Sequence, residues 1–298
     1  MSGRDRTAEA LRAIAAWPSV PDEGEIRRAL DNRSAHVVAA AIRGLSERDL
    51  QAYAPHVAKA FLERLPADQA TDTGAVAKRA AVTALLDWHV WDGDLYEVAS
   101  RVVHLVPVWG ASEDAGAAIR GLGVQGLALS RDARVWPRLA DLLADSERDA
   151  RLGAVAAAAQ LGTPEAASLL RLRARLGDPD PEVDEANLSA LFSLDPTAVQ
   201  EVGAAVVADL RGGRAESAAL ALGSTATADA IGVLVEAARR PLSPDAVYTA
   251  LFLDRSRGLD AVCTLLREGG AAARRVRAAA IPFLEIPGVR ERMEEAGG

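Results

Sequence analysis

The chain has 298 residues, with 34 basic and 42 acidic side chains and a formal net charge of −8. A single cysteine, Cys263, excludes a disulfide framework and any multi-cysteine zinc site. The acidic balance argues against broad binding to nucleic acid or anionic membranes, which needs clustered Lys and Arg. Alanine supplies roughly a fifth of the residues, well above ordinary usage, and favours helix over strand.

In chain order, the first element expected is a capping helix over 7–17. Its scattered charges lack the apolar core of a secretory signal, and no apolar run approaches the ~20 residues that span a bilayer, so a cytoplasmic location is expected. Helix pairs then follow. The first helices of the pairs are expected at 34–45, 74–88, 113–129, 147–161, 181–194, 213–222, 244–254 and 271–284. The second helices are expected at 49–65, 94–105, 134–144, 164–176, 197–210, 227–240 and 257–268. Many first helices close on a leucine: Leu129, Leu161, Leu194, Leu222, Leu253 and Leu284 stand 28 to 33 residues apart. A period of about 30–45 residues carrying two helices marks stacked repeats.

The punctuation agrees. Thr163-Pro164, Asp180-Pro181, Asp195-Pro196 and Ser243-Pro244 each place a short polar residue before a proline. The polar side chain can cap a new helix, and proline at the first helical position loses no hydrogen bond. The fold expected is all-α: a right-handed α-solenoid of stacked helix-turn-helix units with no sheet. It is read as one domain over 1–298, with longer repeats at 22–106 and regular ones at 107–298.

The stretch RLGAVAAAAQLGTPEAASLLRLRARLGDPDPEVDEANLSAL resembles HEAT-like repeats, including the short kind seen in phycobilin-lyase-type proteins. The segments TDTGAVAKRAAVTAL, VHLVPVWGASEDAGAAIRG and LLRLRARLGDPDPEV resemble a group of uncharacterised bacterial HEAT-repeat proteins. The resemblance implies a fold, and by analogy a protein-binding scaffold.

The residues offer no catalytic constellation. His36, His56, His89 and His104 show no metal-ligand spacing, so neither a metal nor a cofactor is expected. There is no Gly-x-Ser-x-Gly elbow, and Cys263 sits at an apolar helical position. Gly121, Gly123 and Gly126 space as GxGxxG inside a helical run, which suits close helix packing better than phosphate binding. Trp88 and Trp91 flank His89 and read as packing residues, while the arginines at 171, 173, 175, 239, 240, 274, 275 and 277 read as solvated faces.

The unusual segment is Pro107-Val108-Trp109-Gly110-Ala111-Ser112-Glu113-Asp114, an excursion between repeats. One reading is structural: Trp109 pins a long loop, Ser112 caps the next helix, and Glu113 and Asp114 serve its dipole. The other makes Trp109, Glu113, Asp114 and Arg120 the border of a ligand or partner surface, with Asp72 and Lys78 brought near by stacking. The function expected is a non-catalytic scaffold for another protein, with no membrane or nucleic-acid partner. The alternative is a HEAT-like enzyme, either a DNA glycosylase for alkylated bases or a phycobilin lyase-type protein.

Overall fold

The structure is a computed structural model that describes residues 3–63, 72–209 and 213–297. The expected helix ends at 64–65 and 210 lie outside the described residues. By its contacts the chain divides into two compact units, meeting between Gln160 and Leu161. Among the described residues the architecture is all-α apart from one two-stranded hairpin.

The first unit runs α1 (Gly3–Ala15), α2 (Glu23–Leu30), α3 (Ala35–Ser46), α4 (Ala54–Glu63), α5 (Val76–Asp87) and α6 (Gly93–Ala99). Strands β1 (Leu105–Val108) and β2 (Ala111–Asp114) follow, then α7 (Ala117–Leu129), α8 (Val135–Leu143) and α9 (Arg148–Leu161). Alternate helices touch: α1 packs on α3, α3 on α5 and α5 on α7, while α2 packs on α4 and α4 on α6. Small residues permit that stacking. A Cβ added to Gly123 would lie 2.3 Å from the backbone nitrogen of Ser100, and one added to Gly126 would enter the Tyr96 ring. The GxGxxG spacing is thus used for helix contact. In α8, Val135, Leu139, Leu142 and Leu143 form the buried stripe that the 3.6-residue period requires.

The second unit contains α10 (Pro164–Leu176), α11 (Pro181–Leu194), a π-helical turn at Val199–Gly203, α12 (Ala204–Val207), α13 (Arg214–Thr225) and α14 (Ala228–Ala238). It continues through α15 (Asp245–Ala250), α16 (Arg257–Glu268), α17 (Gly270–Ala279) and α18 (Val289–Gly297). Here α11 packs on α13, α13 on α15 and α15 on α17, while α14 packs on α16 and α16 on α18. The buried face of α13 is mostly alanine, at Ala215, Ala218, Ala219 and Ala221, which lets its neighbours approach closely.

Three of the proline turns work as read. Thr163 accepts from Ala166 N–H and Asp180 from Glu182 and Val183 N–H, each with proline at the helix start. Asp195 accepts from Thr197 N–H at 3.1 Å, just after Pro196, where the helical run 197–207 begins. The fourth differs: Pro244 itself occupies the cap position of α15 while the Ser243 hydroxyl donates to the Ala237 carbonyl. The closing leucines are also a mixed set. Leu222 is buried, but Leu129 and Leu253 are exposed because the inward positions there fall on Leu127 and Ala128, and on Leu251 and Phe252.

The largest correction is at 100–116. The expected helix over 94–105 stops at Ala99, and the expected helix from 113 starts only at Ala117. Between them lies a β-hairpin, against the expectation of no sheet. The β-branched and aromatic run Val102, Val103, Val106, Val108 and Trp109 favours extended chain, and Pro107 forbids a helix interior.

Candidate partner-binding site

The site is built from one local pattern used three times. Asp72, Asp114 and Asp145 each precede a helix, and each stands six residues before a cation: Lys78, Arg120 and Arg151. The aspartate turns its carboxylate onto free backbone N–H groups at the helix start, a local bond that short acidic side chains make readily. Asp72 accepts from Ala77 N–H at 3.0 Å and Lys78 N–H at 3.3 Å. Asp114 accepts from Gly116 N–H at 2.9 Å, and Asp145 from Glu147 N–H at 2.8 Å. The cation from the first turn of the helix then folds back towards its own aspartate.

Lys78 and Arg120 also reach beyond their own helix start. Lys78 Nζ lies 3.4 Å from Asp72 Oδ2 and 3.1 Å from His104 Nδ1. His104 donates its backbone N–H to Asp114 Oδ1 at 2.7 Å. Arg120 gives Nη1 to Asp114 Oδ2 at 2.5 Å and to the Val102 carbonyl at 2.9 Å. Its Nε and Nη2 grip both oxygens of Asp145 at 3.0 Å, the bidentate fork that a guanidinium offers a carboxylate. Arg151 Nη1 donates to the carbonyls of Asp145 and Ser146.

Burial and hydrogen bonding act against each other in this base. Lys78 and Asp72 are each 1% exposed. Burial, and then the Lys78 charge, hold His104 below its usual pKa, so its neutral ring accepts from Lys78. Burial pushes the Asp114 carboxyl up, but bonds from His104 N–H, Arg120 and Gly116 N–H outweigh it and keep the pKa below the usual value. Burial likewise pulls Arg120 down, and its two carboxylates outweigh that and raise it.

Four of the six residues singled out in the sequence therefore belong to this chain of bonds: Asp72, Lys78, Asp114 and Arg120. Glu113 does not; it lies on β2 with its side chain exposed. Ser112 lies on β2 rather than at a helix cap, and Gly116 occupies the cap of α7. Trp109 pins nothing. It stands at the hairpin tip with 106% relative exposure, followed by Gly110 at φ 76°, the conformation that a tight turn asks of glycine. His104, Asp145 and Arg151 were missed, although the sixfold Asp–cation spacing at 72/78, 114/120 and 145/151 was open to view.

The hairpin stands on this buried base. Ala115 N–H donates to the His104 carbonyl at 2.9 Å, continuing the ladder below Leu105 and Asp114. Above it, Leu105, Val108 and Trp109 are exposed apolar side chains. Elsewhere Trp88 and Cys263 are buried as read, and no group of His, Cys, Asp and Glu among the described residues could hold a metal ion. Arg171, Arg173, Arg239 and Arg275 are each paired with a carboxylate. No helix among the described residues is long and apolar enough to cross a membrane.

No protein-family model matches this chain, and no curated protein is significantly similar to it.

Proposed function

We propose that the stacked helices of each unit are HEAT-like repeats of a right-handed α-solenoid, and that the protein is a non-catalytic cytoplasmic scaffold for another protein. The observation that carries this reading is the hairpin. A fully exposed tryptophan and two further exposed apolar side chains stand on a base of buried ion pairs. Exposed aromatic side chains on a rigid support are the usual anchors of protein interfaces. The packing of alternate helices within each unit, α3 on α5 on α7 and α11 on α13 on α15 on α17, supports the repeat reading.

Two observations favour the scaffold over an enzyme. Asp114, which a glycosylase would need as a free acid, is occupied by Arg120 and two backbone N–H groups. Four of the eight arginines in the clusters that would hold a nucleic-acid backbone, Arg171, Arg173, Arg239 and Arg275, are paired with Asp195, Glu201, Asp178, Glu268 or Asp245. Affinity recovery from an extract of the source cells, with identification by mass spectrometry, tests the reading. A reproducible stoichiometric protein partner is expected. Recovery of nucleic acid alone, or no recovered protein at all, would overturn it.

A further inference from the structure

The two edges of the hairpin are not equivalent. In an antiparallel ladder, residues alternately exchange backbone bonds with the partner strand and turn those groups outward. The Ala115–His104 bond and the register place His104, Val106 and Val108 inward on one side, and Ala111, Glu113 and Ala115 on the other. Leu105, Pro107, Ser112 and Asp114 therefore face outward. On the β1 edge the proline has no N–H to offer, which is how natural sheets blunt an edge. The β2 edge has no such block. Ser112 is exposed, and its backbone N–H and carbonyl have no partner among the described residues. Beside it the exposed Glu113 forms no ion pair among the described residues, in contrast to Asp114, which Arg120 neutralises.

We propose that β2 is the docking edge of the hairpin, to which an extended segment of a partner protein adds as a third strand with a Lys or Arg beside Glu113. This deepens the scaffold reading and rests on it. Main-chain bonds to Ser112 supply affinity, and alternate side chains supply specificity. The unpaired Glu113 selects a basic residue on the face it shares with Val106 and Val108. The exposed Trp109 and Val108 select apolar neighbours two positions along. The proline-blocked β1 edge leaves one side for the incoming strand, so its position on the hairpin is fixed.

The test pans a random twelve-residue peptide library against the immobilised full chain. The enriched peptides should carry Lys or Arg flanked at alternate positions by apolar residues. Their affinity should fall by about tenfold or more in Ser112→Pro, which removes the outward N–H, and in Glu113→Lys, which reverses the charge. The Ser112 amide should become protected from hydrogen exchange when such a peptide binds. Peptides whose binding survives both variants would overturn the proposal and leave the scaffold reading standing. No enrichment on the wild-type chain would contradict both. Sedimentation of the protein alone should show no dimer that Ser112→Pro dissolves; such a dimer would assign the edge to a second copy of the chain.

Discussion

Asp114 and Arg120 meet at 2.5 Å beneath the hairpin, with both side chains more than nine-tenths buried. The pair is useful only as part of a larger set, because the same guanidinium also holds Asp145 and the Val102 carbonyl. Removing it strands two carboxylates away from water. Breaking a buried pair from one side typically costs about 3–5 kcal/mol. Arg120→Met should lose stability on that scale in chemical denaturation of the full chain. A loss below about 1 kcal/mol, the level of an exposed pair, would show that the site is wetter than the structure has it.

His104 makes the base sensitive to acid. Its ring faces Lys78 at 3.1 Å, with Asp72 and Asp114 as the nearby carboxylates. Its folded pKa lies below the usual 6.5, so the unfolded chain takes up the proton first as pH falls. The stability contributed by the neutral ring is complete above pH 6.5 and is lost as the pH drops below that value. Melting temperatures between pH 5 and 8 should fall more steeply on the acid side for the wild type than for His104→Gln. Parallel curves would contradict this assignment.

Two glycines in helices should respond in opposite directions. At Gly123 a methyl group would meet the Ala99–Ser100 backbone, which cannot yield as a side-chain tip can. Gly123→Ala should therefore destabilise by about 1–3 kcal/mol through overpacking. Gly232, in α14, has no atom within 4 Å of the added Cβ. Gly232→Ala should stabilise by about 0.5–1 kcal/mol through helix propensity alone. Equal effects at the two positions would mean that α6 and α7 do not approach as closely as described.

Much of the helical frame is legible in the sequence. The helices at Pro164–Leu176 and Pro181–Leu194 follow from apolar period and capping residues, and Arg257–Glu268 from apolar period alone, all local signals. The hairpin was hidden by the repeat logic itself. A period of about 30 residues demands helices at 94–105 and from 113, and it outweighed the short β-branched run around Pro107. Trp109 misled for a related reason: a tryptophan in a chain poor in aromatics is expected to pack. Asp114 and Arg120 stand out in the sequence, but the neighbours that complete the base do not. Their contacts, His104 with Lys78 and Asp145 with Arg120, span 26 and 25 residues and appear only once the helices have packed.

The proposed scaffold divides labour between a buried ionic base that holds the fold and an exposed tip that binds. It is tested most directly by measuring melting temperature and partner recovery together for Trp109→Ala. The side chain touches little in the folded chain, so its loss should change stability by no more than about 0.5 kcal/mol while recovery of the partner falls sharply. A melting temperature lowered by several degrees with recovery unchanged would contradict the account, because it would make Trp109 a structural pin and leave the binding surface elsewhere.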